Sequence, residues 1–263
     1  MPKRETGLRH RIIHWRAMRH WGRLARKVNR YDLSTLRSLR AAARQLRGQL
    51  DQVIRVADSR LALPMIGSNA FPKPLYCDWS YRPELWRMPI TPIGIAAAET
   101  KSTFGEEIML FHDCRSSELT VRQVRNTRES DLAPFGLRMD VFRFDGSFLS
   151  LVIETPTAAV EGLQRRHLVR LSAVVEMEKK LEIFARLNIK HGPNTEQLVR
   201  ELPFGDLDDA GRAEIEVEFD LAYTKMNEKR VERMWVDLVI ENPEMSQVVI
   251  RDLNFSRRPR AEV

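Results

Sequence analysis

The sequence predicts a mainly β chain: an antiparallel β-sandwich or jelly roll of about nine to ten strands, preceded by two N-terminal α-helices. Three observations carry this reading. From about residue 105, apolar and polar residues alternate with period two in short runs separated by turn residues. No helical segment of useful length separates those runs, which excludes the strand–helix alternation of a parallel sheet. Before residue 63 the period is helical instead, and the charge changes with it.

Residues 1–60 carry 16 Lys and Arg against 4 Asp and Glu, whereas the other 203 carry 27 against 32. The formal net charge of +7 therefore describes a basic arm on a mildly acidic body. Such an arm suits an anionic partner, and its charge does not spread over a whole domain as in a dedicated nucleic-acid binder.

The first predicted helix covers residues 8–31. Ile13, Ala17, Trp21, Leu24, Val28 and Tyr31 fall on one stripe, with Arg9, Arg16, Arg19, Arg23, Arg26, Lys27 and Arg30 on nearly the opposite face. Cations spaced at i,i+3 and i,i+4 repel one another, and an anionic surface relieves that repulsion. An acidic membrane fits, with Trp15 and Trp21 at headgroup level. A nucleic-acid backbone fits less well. The alternative is a solvated basic face whose apolar stripe packs on the next helix. His10 and His14 share a face but lack a third ligand, so no metal site is expected there.

The second helix starts at an Asp32 or Ser34 cap. Leu36, Leu39, Ala43, Leu46, Leu50, Val53 and Ala57 recur at alternating spacings of three and four, a heptad seam that Pro64 should stop. The seam calls for a helical partner. Either the first helix folds back on it, or residues 36–57 of a second chain pair with it in a homo-oligomer. Residues 1–63 thus read as a basic helical arm.

Residues 64–104 read as a Pro/aromatic-rich connector packing on the sandwich. Trp79, Tyr81 and Trp86 stand among six prolines and two glycines, suited to wedging into the core, with an exposed aromatic platform as the alternative. Residues 105–263 form the sandwich domain. Its strands are expected at 107–112, 118–125, 138–144, 147–154, 167–178, 181–190, 195–201, 213–223, 233–241 and 247–256. Asp145-Gly146 reads as a hairpin turn, His191-Gly192-Pro193-Asn194 as a turn, and 156–164 as a short helix capped by Thr155. Alternation places Ile183, Ala185, Leu187 and Ile189 inward, and likewise Ile215, Val217, Phe219 and Leu221.

Motifs for catalysis are missing: there is no GxSxG, P-loop, GxGxxG or HExxH. No catalytic residue, metal ligand or cofactor is expected. His112-Asp113-Cys114 has the residue types of a nucleophile set, but neighbours on one strand face opposite ways. Cys77 and Cys114 are too few for a disulfide scaffold. The longest apolar runs fall well short of a membrane span, and the N-terminus lacks a signal-peptide core. The expected location is cytoplasmic, or peripheral on the cytoplasmic face of a membrane.

The best candidate surface is the outward face of strand 181–190. Arg186, Asn188 and Lys190 line it, His191 and Asn194 lie at its exit, and neighbouring strands are expected to add Glu218, Trp235 and Asp237. Planar polar groups beside an aromatic ring suit a sugar, whose hydroxyls take the hydrogen bonds and whose C–H face stacks on the ring. A ladder of cross-strand ion pairs is the alternative.

Arg115-Ser116-Ser117-Glu118-Leu119 is slightly similar to a strand of jelly-roll polysaccharide lyases, with an extra serine breaking the spacing. More extensively, CDWSYRPELWR (77–87), the stretches at 110–138 and 183–203, and WVDLVIENPEMSQVVIRDLNFSRRPRAE (235–262) resemble an uncharacterised protein family of alphaproteobacteria. The resemblance covers nearly the whole chain. It implies a bacterial protein of unknown function on the cytoplasmic side and brings no site residues with it. The expected function is a non-enzymatic carbohydrate- or polysaccharide-binding jelly roll on a membrane-docking or oligomerising arm. The alternatives are a structural or assembly protein that uses the sandwich as a protein-interaction platform, and a polysaccharide-active enzyme.

Overall fold

The computed structural model describes residues 7–65, 71–128, 130–205 and 211–260. Two compact units divide the chain, Met1–Ile54 and Arg55–Val263.

Helix α1 (Gly7–Lys27) passes through a 3-10 turn at Val28–Arg30 into α2 (Leu33–Met65). Asp32 is the cap: its Oδ2 accepts the Ser34 and Thr35 N–H groups at 3.0 and 3.2 Å. The Ser34 hydroxyl donates to the same oxygen, and this bond above all, with those from Thr35, holds the Asp32 carboxyl well below the usual carboxylate range. Trp21, Leu24, Tyr31, Leu36 and Leu39 are half-buried around the bend. Further along the heptad seam the side chains are open, Leu50 at 52% and Val53 at 65% exposure. The fold-back hairpin that would cover the seam is not formed among the described residues. Ala57 lies outside the residues whose side chains are described.

The second unit begins with short elements that lie on the sandwich: β1 (Trp79–Tyr81), α3 (Glu84–Arg87), β2 (Gly94–Ile95) and β3 (Thr103–Phe104). Trp86 is fully buried and its Nε1–H donates to the Ile250 carbonyl at 2.9 Å. Gln123 serves the backbone around it, donating to the Leu85 and Met88 carbonyls and accepting from the Ile90 N–H. Trp79 and Tyr81 are half-buried and stacked at 6.2 Å. The Tyr81 hydroxyl donates to Glu107, and burial with that carboxylate pushes its pKa up.

Ten longer strands follow: β4 (Ile108–His112), β5 (Ser117–Arg125), β6 (Phe135–Phe144), β7 (Leu149–Glu154), β8 (His167–Met177), β9 (Ile183–His191), β10 (Asn194–Glu201), β11 (Arg212–Asp220), β12 (Val231–Ile240) and β13 (Ser246–Pro259). They form two antiparallel sheets. Sheet A runs β11-β8-β13-β6-β5-β2, with β1 also on β13, and sheet B runs β10-β9-β12-β7-β4-β3. From β6 onward the chain crosses between sheets at nearly every step, so β6-β13-β8-β11 faces β7-β12-β9-β10: a jelly roll. The period-two residues fill the space between the sheets. Ile183, Ala185, Leu187 and Ile189 from β9 meet Ile215, Val217 and Phe219 from β11 in one continuous core.

Three expectations of local structure are corrected. Asp145-Gly146 is not a hairpin turn, because β6 and β7 lie in different sheets. It is an arch, and the Asp145 carboxylate accepts the Arg115 and Ser116 N–H groups while Asp113 accepts from Ser147. A Cβ at Gly146 would stand 2.5 Å from Asp113 Oδ1 and 2.7 Å from Cys114 Sγ, so any larger residue would push those two side chains aside. The helix at 156–164 shrinks to a 3-10 turn at Thr157–Ala159, and the Thr155 hydroxyl donates to Met234 instead of capping it. The α2 helix continues one residue beyond Pro64. The true tight hairpin is β9–β10, where Asn194 pairs with His191 and Gly192 takes φ +58° ahead of Pro193. Both cysteines are free thiols.

Candidate functional site

The outer face of sheet B carries a cleft of about 540 Å³ that crosses β9, β12, β7 and β4. Register explains how residues far apart in the chain meet there. Asn188 stands opposite Gln197 on one side and Trp235 on the other, and Trp235 stands opposite Glu154. In the next row Arg186 faces Asp237, Asp237 faces Val152, and Val152 faces Met109. Met109, Phe111, Phe148, Val152 and Val239 make the lining apolar toward β4, and Arg186, Asn188, Gln197, Glu154 and Arg233 make it polar toward β9.

A fixed polar cluster forms the floor. Asp237 Oδ2 accepts from Arg186 Nε at 2.7 Å and from Asn188 Nδ2 at 3.1 Å, with Arg186 Nη2 at 2.6 Å. Asn188 Nδ2 also donates to the Arg186 carbonyl, and its Oδ1 accepts from Gln197 Nε2, each at 3.0 Å. Asn188 is only 1% exposed and Asp237 4%. All the contacts made to Asp237 use Oδ2. Asp237 Oδ1 is buried and has no hydrogen-bond partner among the described residues. Beside it, the Arg233 guanidinium lies 4.7 Å from the centre of the Trp235 ring and pairs with both oxygens of Glu154.

Of the residues expected on this face, the cleft gathers Arg186, Asn188, Trp235 and Asp237. The other four lie apart. Lys190 ends the strand in a pair with Glu232 at 2.8 Å, which lowers the Glu232 carboxyl below its ordinary range. His191 is buried, its Nδ1 accepting from Asn227 N–H at 3.4 Å and its Nε2 lying 3.6 Å from Glu196. Asn194 is exposed at the hairpin. Glu218 corrects the expectation most clearly: β11 pairs with β8 in sheet A, and Glu218 is held there by Arg170 at 2.9 Å and Arg258 at 3.2 Å. Sequence reasoning missed Met109, Phe111, Glu154, Arg233 and Gln197. All but Gln197 were available as outward positions of alternating strands, but nothing local says which strands are neighbours.

His112, the histidine of the His-Asp-Cys stretch, is a bracing residue. Its Nε2 bonds the Ala98 carbonyl at 3.0 Å and its Nδ1 accepts the Cys114 N–H at 3.3 Å. Burial raises the pKa of the Cys114 thiol, the opposite of nucleophile activation. Among the described residues, no group of three His, Cys, Asp or Glu side chains could hold a metal, and no helix is long and apolar enough to cross a membrane.

On α1 Arg16, Arg19, Arg23, Arg26 and Lys27 are exposed, as is Arg30 on the 3-10 turn after it, and Arg19 lies 4.9 Å over the Trp15 ring. Arg9 lies outside the residues whose side chains are described.

Several solved structures share general features. The family 11 carbohydrate-binding module of a Clostridium thermocellum cellulase is 12% identical, with 62% of this chain and 94% of that one covered at a TM-score of 0.40. A Stig cyclase from Fischerella sp. TAU is 9% identical over 64% and 100% of the two chains, TM-score 0.39. The bacteriophage CBA120 tailspike protein 4 active domain is 6% identical over 56% of this chain, TM-score 0.40, and this chain spans only 19% of it. No curated protein matches the sequence. One family does match along its full length, residues 1–263, and the chain belongs to it: the family of unknown function DUF6478.

Proposed function

We propose that the jelly roll is a non-enzymatic carbohydrate-binding module whose glycan lies in the sheet B cleft. One observation carries the reading: the unpartnered Asp237 Oδ1 at the floor of a half-polar, half-apolar cleft walled by Trp235. A buried carboxylate oxygen without a donor is costly, and a sugar hydroxyl supplies that donor in a charge-assisted bond. Arg186 and Asn188 hold the carboxylate in place, so it is preorganised. Trp235 and the apolar wall toward β4 take the C–H face of the ring. Met109 and Phe111 extend that wall, enough for more than one sugar unit.

The helical arm has its own role in this proposal, on the cytoplasmic side. The exposed arginine row of α1, with Trp15 beside it, docks on an anionic membrane surface. The open seam of α2, exposed at Leu46, Leu50 and Val53, favours self-association through residues 36–57.

The test is a glycan array probed with the full chain, followed by titration of Trp235→Ala and Asp237→Asn. Selective binding that each substitution weakens about tenfold or more, the value of one charge-assisted bond, supports the cleft. A folded protein that binds no glycan refutes it.

A further inference from the structure

Sheet A, on the other side of the sandwich, holds a cavity the glycan reading does not use. It has a volume of about 190 Å³, more room than a single water needs. The outer faces of β8, β11 and β13 form its floor, and residues 130–132 of the β5–β6 loop lie over it.

Two carboxylates with the same defect line it. Asp252 is 5% exposed, and its Oδ2 accepts from Arg82 Nη2 at 2.7 Å. Asp131 is 4% exposed, and its Oδ2 accepts the Arg128 N–H at 3.0 Å. In both residues Oδ1 is buried with no hydrogen-bond partner among the described residues, though Asp131 Oδ1 lies 3.6 Å from Arg212 Nη1. Asp131 and Glu214 share Arg212, each at 3.6 Å, which leaves one carboxylate of the lining unbalanced, whereas Glu216 pairs with Arg170 and Asp252 with Arg82. Arg251 is engaged elsewhere, pairing with Glu176 at 2.8 Å.

We infer that this cavity is a second binding site, for a small organic cation that brings N–H donors, a guanidinium or a primary ammonium. Two buried acceptors lacking donors need a ligand that donates in more than one direction, and the excess of carboxylates selects a positive one. A bare divalent ion is a poorer occupant, because it needs six or more converging oxygens and would stand against the two lining guanidiniums. Burial raises the Asp252 carboxyl above its ordinary range.

Calorimetric titration of the full chain with agmatine, which carries both cationic groups, tests the inference, with sorbitol as a neutral control. The expected result is saturable one-to-one binding of agmatine and none of sorbitol. Asp131→Asn should weaken it about tenfold, the scale of one charged hydrogen bond. Glu214→Gln, at a side chain 79% exposed and harmless to the fold, should weaken it about threefold. Trp235→Ala, which disables the proposed glycan cleft, should leave agmatine affinity unchanged, so the two sites fail independently. The inference is overturned if wild type does not bind agmatine, if sorbitol binds equally, or if Trp235→Ala rather than the acidic substitutions removes binding. If Asp131→Asn does not fold, an unchanged affinity in Glu214→Gln is enough to overturn it.

Discussion

Replacing Asn188 with alanine separates a built polar cluster from a fortuitous row of charges. The substitution removes three hydrogen bonds at once: those from Nδ2 to Asp237 Oδ2 and to the Arg186 carbonyl, and the one from Gln197 to Oδ1. Gln197 is exposed and finds water. Asp237 keeps Arg186 but loses its second donor in a site already short of one. A neutral bond is worth about 1 kcal/mol net and one to a charged group about 1.5–3, so the loss should be about 2–3 kcal/mol. For a body of this size each kcal/mol moves Tm by about 2–4 °C, so melting should fall by roughly 5–10 °C. Lys190→Ala is the control. It breaks only the pair with Glu232, whose two side chains are 45% and 50% exposed, and should stay within about 1 kcal/mol. Melting followed by circular dichroism reads both. If Asn188→Ala moves Tm no further than Lys190→Ala, the cluster does not fix Asp237 and the preorganised cleft is lost as an explanation.

The other predictions concern separate parts of the chain. Replacing Arg16, Arg19, Arg23 and Arg26 together with alanine should abolish co-sedimentation with vesicles rich in acidic lipid; unchanged pelleting rules out the membrane role of α1. Leu50→Asp with Val53→Asp should lower the sedimentation coefficient if α2 self-associates, and a wild type that is monomeric at high concentration counts against that. His167 is buried, with Nδ1 accepting from Gln164 and Nε2 lying 3.4 Å from Asp78, and burial lowers its pKa from the ordinary 6.5. The unfolded chain then takes up the proton first, so stability is complete above pH 6.5 and is lost as pH falls below it. Urea midpoints at pH 7.5 and 5.5 should converge in His167→Gln; equal slopes in the two proteins would contradict this.

Alternation made the strands legible, most clearly in β4, β8 and β11, where buried residues take turns with more open ones. Ile215-Glu216-Val217-Glu218-Phe219 could be read no other way. Strand adjacency was not legible, because it depends on where a chain crosses between sheets and no local pattern marks a crossing. Glu218 was therefore assigned to the wrong sheet, while Trp235 and Asp237 reached the right neighbours only through the β12–β9 pairing. Asp145-Gly146 has the composition of a hairpin turn and the role of an arch, and the deciding contacts come from Asp113, some 34 residues earlier in the chain. At the cleft, Asn188 reads as an ordinary outward residue. Its burial comes from its long neighbours on β10 and β12, which a single strand's pattern does not contain.

The position of β13 bears on how the molecule is made. This strand joins β8 to β6 at the centre of sheet A, receives β1 along its far end, and anchors Arg82 through Asp252 and Asp78 through Arg257, contacts 170 and 179 residues apart in sequence. Synthesis proceeds from the N-terminus, so a nascent chain ending before residue 246 has made every other strand but cannot close sheet A. During that interval β6 and β8 expose unpaired edges, and Arg82 and Asp78 lack their partners on β13. Folding of the body is thus deferred until its final strand leaves the ribosome, and long-range closure of this kind is slow. Chains truncated within β13 should accumulate as insoluble protein and not as a smaller domain.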